Sequence, residues 1–186
     1  MAEQRFKYRN ITVSGPICSG TTTLARLLKK NLGWKLFEAG VFFRKYCQEH
    51  GLKLENASDR SDELSKKIDY GMKEEMRRGR HQIFEAWLSG FMARGIAGVL
   101  KVLLVAPDDL RIDRLVNRDG LRIEEAKGLI KKRERDNFNK WGRLYGETKF
   151  WDPKHYDLII DTYSHSKEET LEKVLKKLGW KGKVKF

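Results

Sequence analysis

Cysteine and proline are scarce: Cys18 and Cys47 are the two cysteines, and there are three prolines, among 186 residues. Two scattered thiols exclude a disulfide framework or a cysteine-based zinc site, and both are expected to be free in a reducing compartment. Long apolar runs are missing as well. No stretch approaches the roughly 18 apolar residues needed to cross a bilayer, and Met1–Asn10 is too polar for a secretory signal. A soluble, cytoplasmic protein without a membrane partner is therefore expected. Internal repeats and low-complexity segments are absent, which leaves out a solenoid or a disordered arm. Acids are in the minority, with 26 Asp+Glu against 39 Lys+Arg and a formal net charge of +13, so the partners are expected to be anionic. The cations are dispersed through Lys29–Lys30, Arg77–Arg80, Lys131–Arg135 and Lys181–Lys185, mostly beside acids, as on solvated helix faces. No stacking motif or groove-reading module accompanies them, which favours nucleotides over nucleic acid as the anion.

The last absence is a single lysine. Gly15-Pro16-Ile17-Cys18-Ser19-Gly20-Thr21-Thr22 follows the phosphate-loop pattern G-x-x-x-x-G-K-[ST] except that Thr21 stands at the lysine position. Glycines in such a loop let successive backbone N–H groups wrap a polyphosphate, and the following helix N-terminus adds partial positive charge. The backbone cradle is thus retained while the cation reaching the phosphates is lost, so other basic side chains must replace it. The context fits: Asn10–Ser14 reads as a short buried strand, and Leu24, Leu27 and Leu28 form an apolar helix face directly after the turn.

Further along, Trp34–Glu38, His81–Glu85, Leu100–Ala106 and Tyr156–Asp161 read as four more strands separated by helices, which predicts a five-stranded parallel sheet covered on both faces. Arg44 falls on a helix running to about His50. Leu64, Ile68, Met72 and Met76 mark the buried face of the next helix, which ends near Gly79. Pro107 opens a helix that Gly120 closes. The helix after it runs through Ile123, Ala126, Ile130, Phe138, Trp141 and Tyr145, with Lys131, Lys132, Arg133, Arg135, Lys140 and Arg143 as a basic surface. Ser166 and Glu169 form a capping box for a last helix whose face is Leu171, Val174, Leu175 and Leu178; the tail beyond Gly179 is expected to fray.

A phosphate loop after the first strand, an acid ending another strand and a basic helix late in the chain are the parts of a phosphoryl-transfer site, whose chemistry is largely electrostatic positioning. Thr22 is the hydroxyl expected on Mg²⁺. Glu85 either holds a metal-bound water or orients the acceptor, or else caps the next turn. Arg44 is either a clamp for an acceptor phosphate near the strand carboxyl ends or a solvated arginine. The run Lys131–Arg135, interleaved with Glu124, Glu125, Glu134 and Asp136, is either a cover for the phosphates or a salt-bridged exterior.

Four blocks in order resemble the cytidylate kinase family in its short archaeal-type form: Gly15-Pro16-x-x-Ser19-Gly20-Thr21-Thr22-Thr23, Glu38-Ala39-Gly40-x-x-Phe43-Arg44, Ala106-Pro107-x-x-x-Arg111-x-x-Arg114, and Tyr156-Asp157-Leu158-Ile159-Ile160-Asp161-Thr162. The resemblance runs from Ile11 to about Leu178, and that form also carries threonine for the loop lysine. It implies a single three-layer α/β P-loop kinase domain. Its core would be 9–40, 79–117 and 155–180, with a monophosphate-binding insertion at about 41–78 and a lid at about 118–150. It further implies transfer of the ATP γ-phosphate to CMP or dCMP, with Mg²⁺. By the same resemblance Gly15, Ser19, Gly20, Thr21, Thr22 and Thr23 hold ATP phosphates, Arg44 the acceptor phosphate, and Asp69 lies near the acceptor nucleotide. Arg133, Arg135 and Asp136 belong to the lid. Where the family has Glu-Gly-Arg-Leu-Ala-Gly, this chain has Glu85-Ala86-Trp87-Leu88-Ser89-Gly90, so a tryptophan stands for an acceptor-site arginine. Trp87 is then either a stacking face for a base or a hinge aromatic. Val41, Ser65, Tyr70 and Asn139 also depart from charged residues of the family. The alternatives are a related kinase with a different small acceptor, or a nucleotide- or RNA-binding protein that has lost turnover.

Overall fold

The computed structural model describes residues 6–186; Met1–Arg5, half of the polar start read above as no secretory signal, lies outside the described residues. The five predicted strands form at β1 (Asn10–Ser14), β2 (Lys35–Glu38), β3 (Gln82–Glu85), β4 (Val99–Val105) and β5 (Leu158–Asp161). They pair in the order β2-β3-β1-β4-β5, every pair parallel. β1 is buried along its whole length, as a central strand covered on both faces must be. Its carboxyl end lies between the ends of β3 and β4, on either side of which the chain winds in opposite directions, and there such sheets bind ligands.

One face of the sheet is covered by α1 (Thr21–Leu32) and α7 (Lys167–Leu178), which bury Leu24, Leu28, Leu171, Val174, Leu175 and Leu178 against Ile11, Val13 and Val102. The opposite face carries α3 (Asp62–Arg78), the short α4 (Ser89–Met92) and a cluster of Met72, Met76, Phe84, Trp141 and Phe150. Asn10 fastens this side to the sheet by donating to the carbonyls of Met76 (3.1 Å) and Gly79 (2.9 Å). α2 (Ala39–Glu49) follows β2 directly, and α5 (Asp108–Asp119) ends on Gly120, whose positive φ of 67° suits glycine. α6 (Ile123–Tyr145) is the longest helix, and one-turn 3₁₀ segments lie at Ala57–Asp59 and Pro153–His155. No helix among the described residues is long and apolar enough to cross a membrane.

Three expectations change. The buried face of α3 is Ser65, Asp69, Met72 and Met76, not Leu64 and Ile68 with the two methionines. A spacing of four advances about 400°, so a strict four-residue repeat drifts around the helix, whereas 4-3-4 spacing stays on one side. On α6, Ile123 is 58% exposed while Lys140 is only 4% exposed, so the helix is neither apolar at its start nor basic only on its outside. The tail is docked: Trp180 and Val184 pack on the core, and Asn31 exchanges hydrogen bonds with the Lys185 backbone at 2.7 and 2.8 Å.

Candidate active site

The loop between β1 and α1 has its shape because few side chains fit it. A Cβ on Gly15 would lie 2.4 Å from the Leu104 carbonyl oxygen, and Gly20 sits at φ 96°, a left-handed conformation that a branched residue resists. Neighbouring groups hold the loop by its carbonyls. Arg111 donates to Ile17 O (3.3 Å), Arg114 to Cys18 O (3.1 Å), and Thr162 Oγ1 to Ser19 O (3.1 Å). At α1, no side chain caps the N-terminus and no acid occupies the first turn. Its leading N–H groups and the positive end of its dipole are therefore open to an anion. Ser19 Oγ, buried and without a hydrogen-bond partner among the described residues, adds an unsatisfied group at the same place.

Thr21 turns away from this cradle. Its hydroxyl donates to Glu85 Oε1 at 2.7 Å, and the Thr22 hydroxyl reaches the same oxygen at 3.3 Å. Glu85 ends β3 beside Glu38 at the end of β2. Burial pushes its carboxyl above the ordinary glutamate range, and the Thr21 hydroxyl opposes that shift. A hydroxyl and a carboxylate this close form a hard-oxygen donor set of the kind Mg²⁺ takes alongside waters and phosphate oxygens. The donor set is compatible with the ion expected at Thr22.

Two spaces meet at the loop. A cleft of 820 Å³ opens over Gly20, Thr23, Leu104, Arg114, Thr162 and Lys167. A smaller cavity of 130 Å³ lies behind it, walled by Phe43, Arg60, Asp69, Trp87, Asn137 and Trp141. The partition between them is made of Cys18, Thr21, Thr22, Arg44, Leu54, Arg118 and Arg133, which line both. The guanidinium groups of Arg44 and Arg133 make no hydrogen bond or ion pair among the described residues, and that of Arg118 pairs with its neighbour Asp119 at 2.7 Å. Burial, together with the repulsion of Arg118, Arg44 and Arg60, brings the Arg133 guanidinium down to about 10. The guanidinium groups of Arg44, Arg118 and Arg133 share the Asp119 carboxylate, which all three hold below its ordinary range, and the excess positive charge forms an anion site, with phosphate the natural bidentate partner for arginine.

Of the sequence-predicted residues, Gly20, Thr21, Thr22, Thr23, Arg44, Asp69, Glu85, Trp87 and Arg133 come together around these two spaces, and Gly15 and Ser19 shape the loop beside them. Arg135 does not join them. Its side chain is 60% exposed and pairs with Asp136 at 3.0 Å. Residues two apart on a helix point about 200° apart, so Arg133 and Arg135 cannot serve one cavity. Trp87 packs in an aromatic cluster beside the cavity: its ring meets Trp141 and Trp151 edge-on at 5.6 and 5.7 Å, and its face lies 5.6 Å from the Arg133 guanidinium. Asp69, 7% exposed, accepts from the Tyr145 hydroxyl at 2.7 Å, and burial pushes its carboxyl up to about 6. Val41, Tyr70 and Asn139 face solvent, whereas Ser65 lines the cavity. Arg60, Arg118 and Asn137 were missed. Arg60 lies in a polar stretch without periodicity, and nothing local distinguishes Arg118 from its charged neighbours.

The family described as the cytidylate kinase-like family matches residues 10–164. A cytidylate kinase of Methanopyrus kandleri is 34% identical over 171 residues, covering 86% of this chain and 88% of that protein. One of Pyrococcus abyssi is 37% identical over 161 residues, covering 85% and 87%. Among solved structures, shikimate kinase from Acinetobacter baumannii superposes with a TM-score of 0.55 at 18% identity, over 91% of this chain and 92% of that one, a likeness of fold alone.

Proposed function

The chain belongs to the cytidylate kinase-like family, and from that premise we propose that it transfers the γ-phosphate of ATP to CMP or dCMP. The observation that carries this reading is the arginine partition. Phosphoryl transfer needs positive charge between donor and acceptor, where the charge of the transferring group develops. Arg44, Arg118 and Arg133 occupy the wall common to the loop cleft and the inner cavity.

In this reading the loop amides and the α1 N-terminus hold the donor phosphates, with the Thr21 hydroxyl directed at Glu85 rather than at the nucleotide. Thr22 and Glu85 are the residues that would hold Mg²⁺, which when bound neutralises phosphate charge. Arg44 receives the acceptor phosphate. Arg133 and Arg118 face the phosphoryl group in transit, and Asp69, Trp87 and Arg60 surround the acceptor nucleoside. Segments 41–78 and 118–150 then act as the monophosphate-binding insertion and the lid. The Trp151 indole N–H donates to Trp87 O at 3.0 Å and fixes the backbone of the tryptophan that walls the cavity.

The test is ADP formation with CMP, dCMP, UMP and AMP in a coupled assay. CMP and dCMP are expected to stimulate ADP release above the rate with ATP alone, with UMP and AMP weaker. No stimulation by any monophosphate, in a protein that binds ATP, would replace the kinase with a nucleotide-binding role.

A further inference from the structure

Lys140 is a buried ammonium outside the cavity and the cleft. It projects from α6 into the turn that follows the 3₁₀ segment Ala57–Asp59. Its Nζ donates to the carbonyls of Ala57 (3.0 Å), Arg60 and Ser61 (3.4 Å), and Asp62 lies 3.5 Å away. Three carbonyls match the three donors of an ammonium group. A charge withdrawn from water is kept where such complete satisfaction compensates it.

The same turn carries Arg60, 6% exposed, whose side chain points into the inner cavity over the Phe43 ring at 5.1 Å. Arg60 Nη2 donates to Asn137 Oδ1 at 3.0 Å, and Asn137 Nδ2 donates to the Arg133 carbonyl at 2.7 Å. Successive turns of α6 thus bear Arg133 on the partition, Asn137 on Arg60, and Lys140 on the Arg60 backbone. At the end of the helix, Tyr145 reaches Asp69 on α3. The helix carrying the partition arginine and the turn carrying the cavity arginine are one hydrogen-bonded unit.

We propose that Lys140 is a positioning residue that couples the two nucleotide sites, its ammonium fixing the Arg60 turn to α6 so that filling the inner cavity also sets Arg133 toward the phosphates. Lys140 touches neither nucleotide. The inference rests on the reading of the inner cavity as the acceptor site, and its action is on cooperativity rather than on either site alone.

The experiment measures binding of a non-hydrolysable ATP analogue with and without saturating CMP, by calorimetry, in wild type, Lys140→Met, Asn137→Ala and Arg143→Ala. In wild type, CMP is expected to tighten analogue binding about fivefold or more, the range of ordinary site–site coupling. Lys140→Met should bring that factor to about one and raise the CMP KM about tenfold, with analogue affinity in the absence of CMP within about twofold of wild type. Asn137→Ala should lower the factor in the same direction and decides the matter if Lys140→Met does not melt cooperatively. Arg143→Ala removes only the exposed pair with Asp62 and should leave the factor unchanged. A merely structural lysine would lower the melting temperature and weaken both ligands without abolishing coupling. Wild-type coupling in a folded Lys140→Met, in Asn137→Ala when Lys140→Met does not fold, or no coupling in wild type, overturns the inference. Failure of CMP to stimulate ADP release in wild type would instead strike the proposed acceptor.

Discussion

The outer cleft opens over the backbone of eight consecutive residues, Gly15 to Thr22, whereas the inner cavity is walled by side chains brought together from α2, α3, α5, α6 and the turn at Arg60, and the arginines of the partition face both. A backbone cradle depends on φ/ψ and on the room that glycine leaves, so it tolerates loss of the lysine. A side-chain cavity depends on which face of each helix is turned inward, and it loses function with single substitutions that leave the fold intact. If both nucleotides are bound as proposed, damage to the loop and damage to the cavity should separate cleanly in binding and kinetics.

The largest effect is expected at the loop. Gly20→Val forces a branched residue into a φ of 96° and should abolish measurable ATP binding. Thr21→Ala removes only the hydroxyl on Glu85 and should change ATP affinity by less than about threefold, with stability lower by about 1 kcal/mol. Equal losses of ATP affinity in the two variants would contradict a cradle made of backbone.

Next comes the partition. Arg133→Ala should lower kcat by about 10²-fold or more while ATP affinity changes little, because the charge matters most in the transition state. Arg135→Ala, two residues on but facing solvent, should stay within about twofold of wild type. The reverse order would mean that α6 rotates before catalysis.

A smaller and more selective effect is expected at Arg44, where alanine should raise the CMP KM about tenfold, the loss of one charge-assisted phosphate contact. The Kd for ATP should not follow it. A parallel rise in both constants would move Arg44 from the acceptor side of the partition to the donor side.

The last effect is on stability rather than on turnover, at Asp69. Its carboxyl, pushed up to about 6 by burial, holds a proton in the folded state that the unfolded chain releases nearer pH 4. Stability contributed by that proton is present below pH 4 and is lost as pH rises through 6. Asp69→Asn should therefore be more stable than wild type at pH 8, by about 3 kcal/mol, and no more stable at pH 4. Chemical denaturation without nucleotide at the two pH values measures this. A carboxylate kept at a cost to the free protein, in the cavity assigned to the acceptor, is expected to serve binding. The same variant should weaken CMP.

Local sequence specifies the features that a short stretch of chain contains: the loop with its strand and helix, the five strands, the cap at Ser166 with Glu169, and the stop at Gly120. Short-range sterics and hydrogen bonds specify these features, and a window of ten residues contains them. The strand order β2-β3-β1-β4-β5 and the inward faces of α3 and α6 came only from the tertiary structure. Arg133 and Arg135 are equivalent to any count of basic residues, and Leu64 outranks Ser65 in any count of apolar ones, yet Arg133 and Ser65 line the cavity while Arg135 and Leu64 do not. About 100° of helix per residue separates them, and packing between segments far apart in the chain selects the rotation. Lys140 is the plainest case: among the charged residues of α6 it reads as surface, and it is buried because three carbonyls about 80 residues earlier in the chain converge on its ammonium.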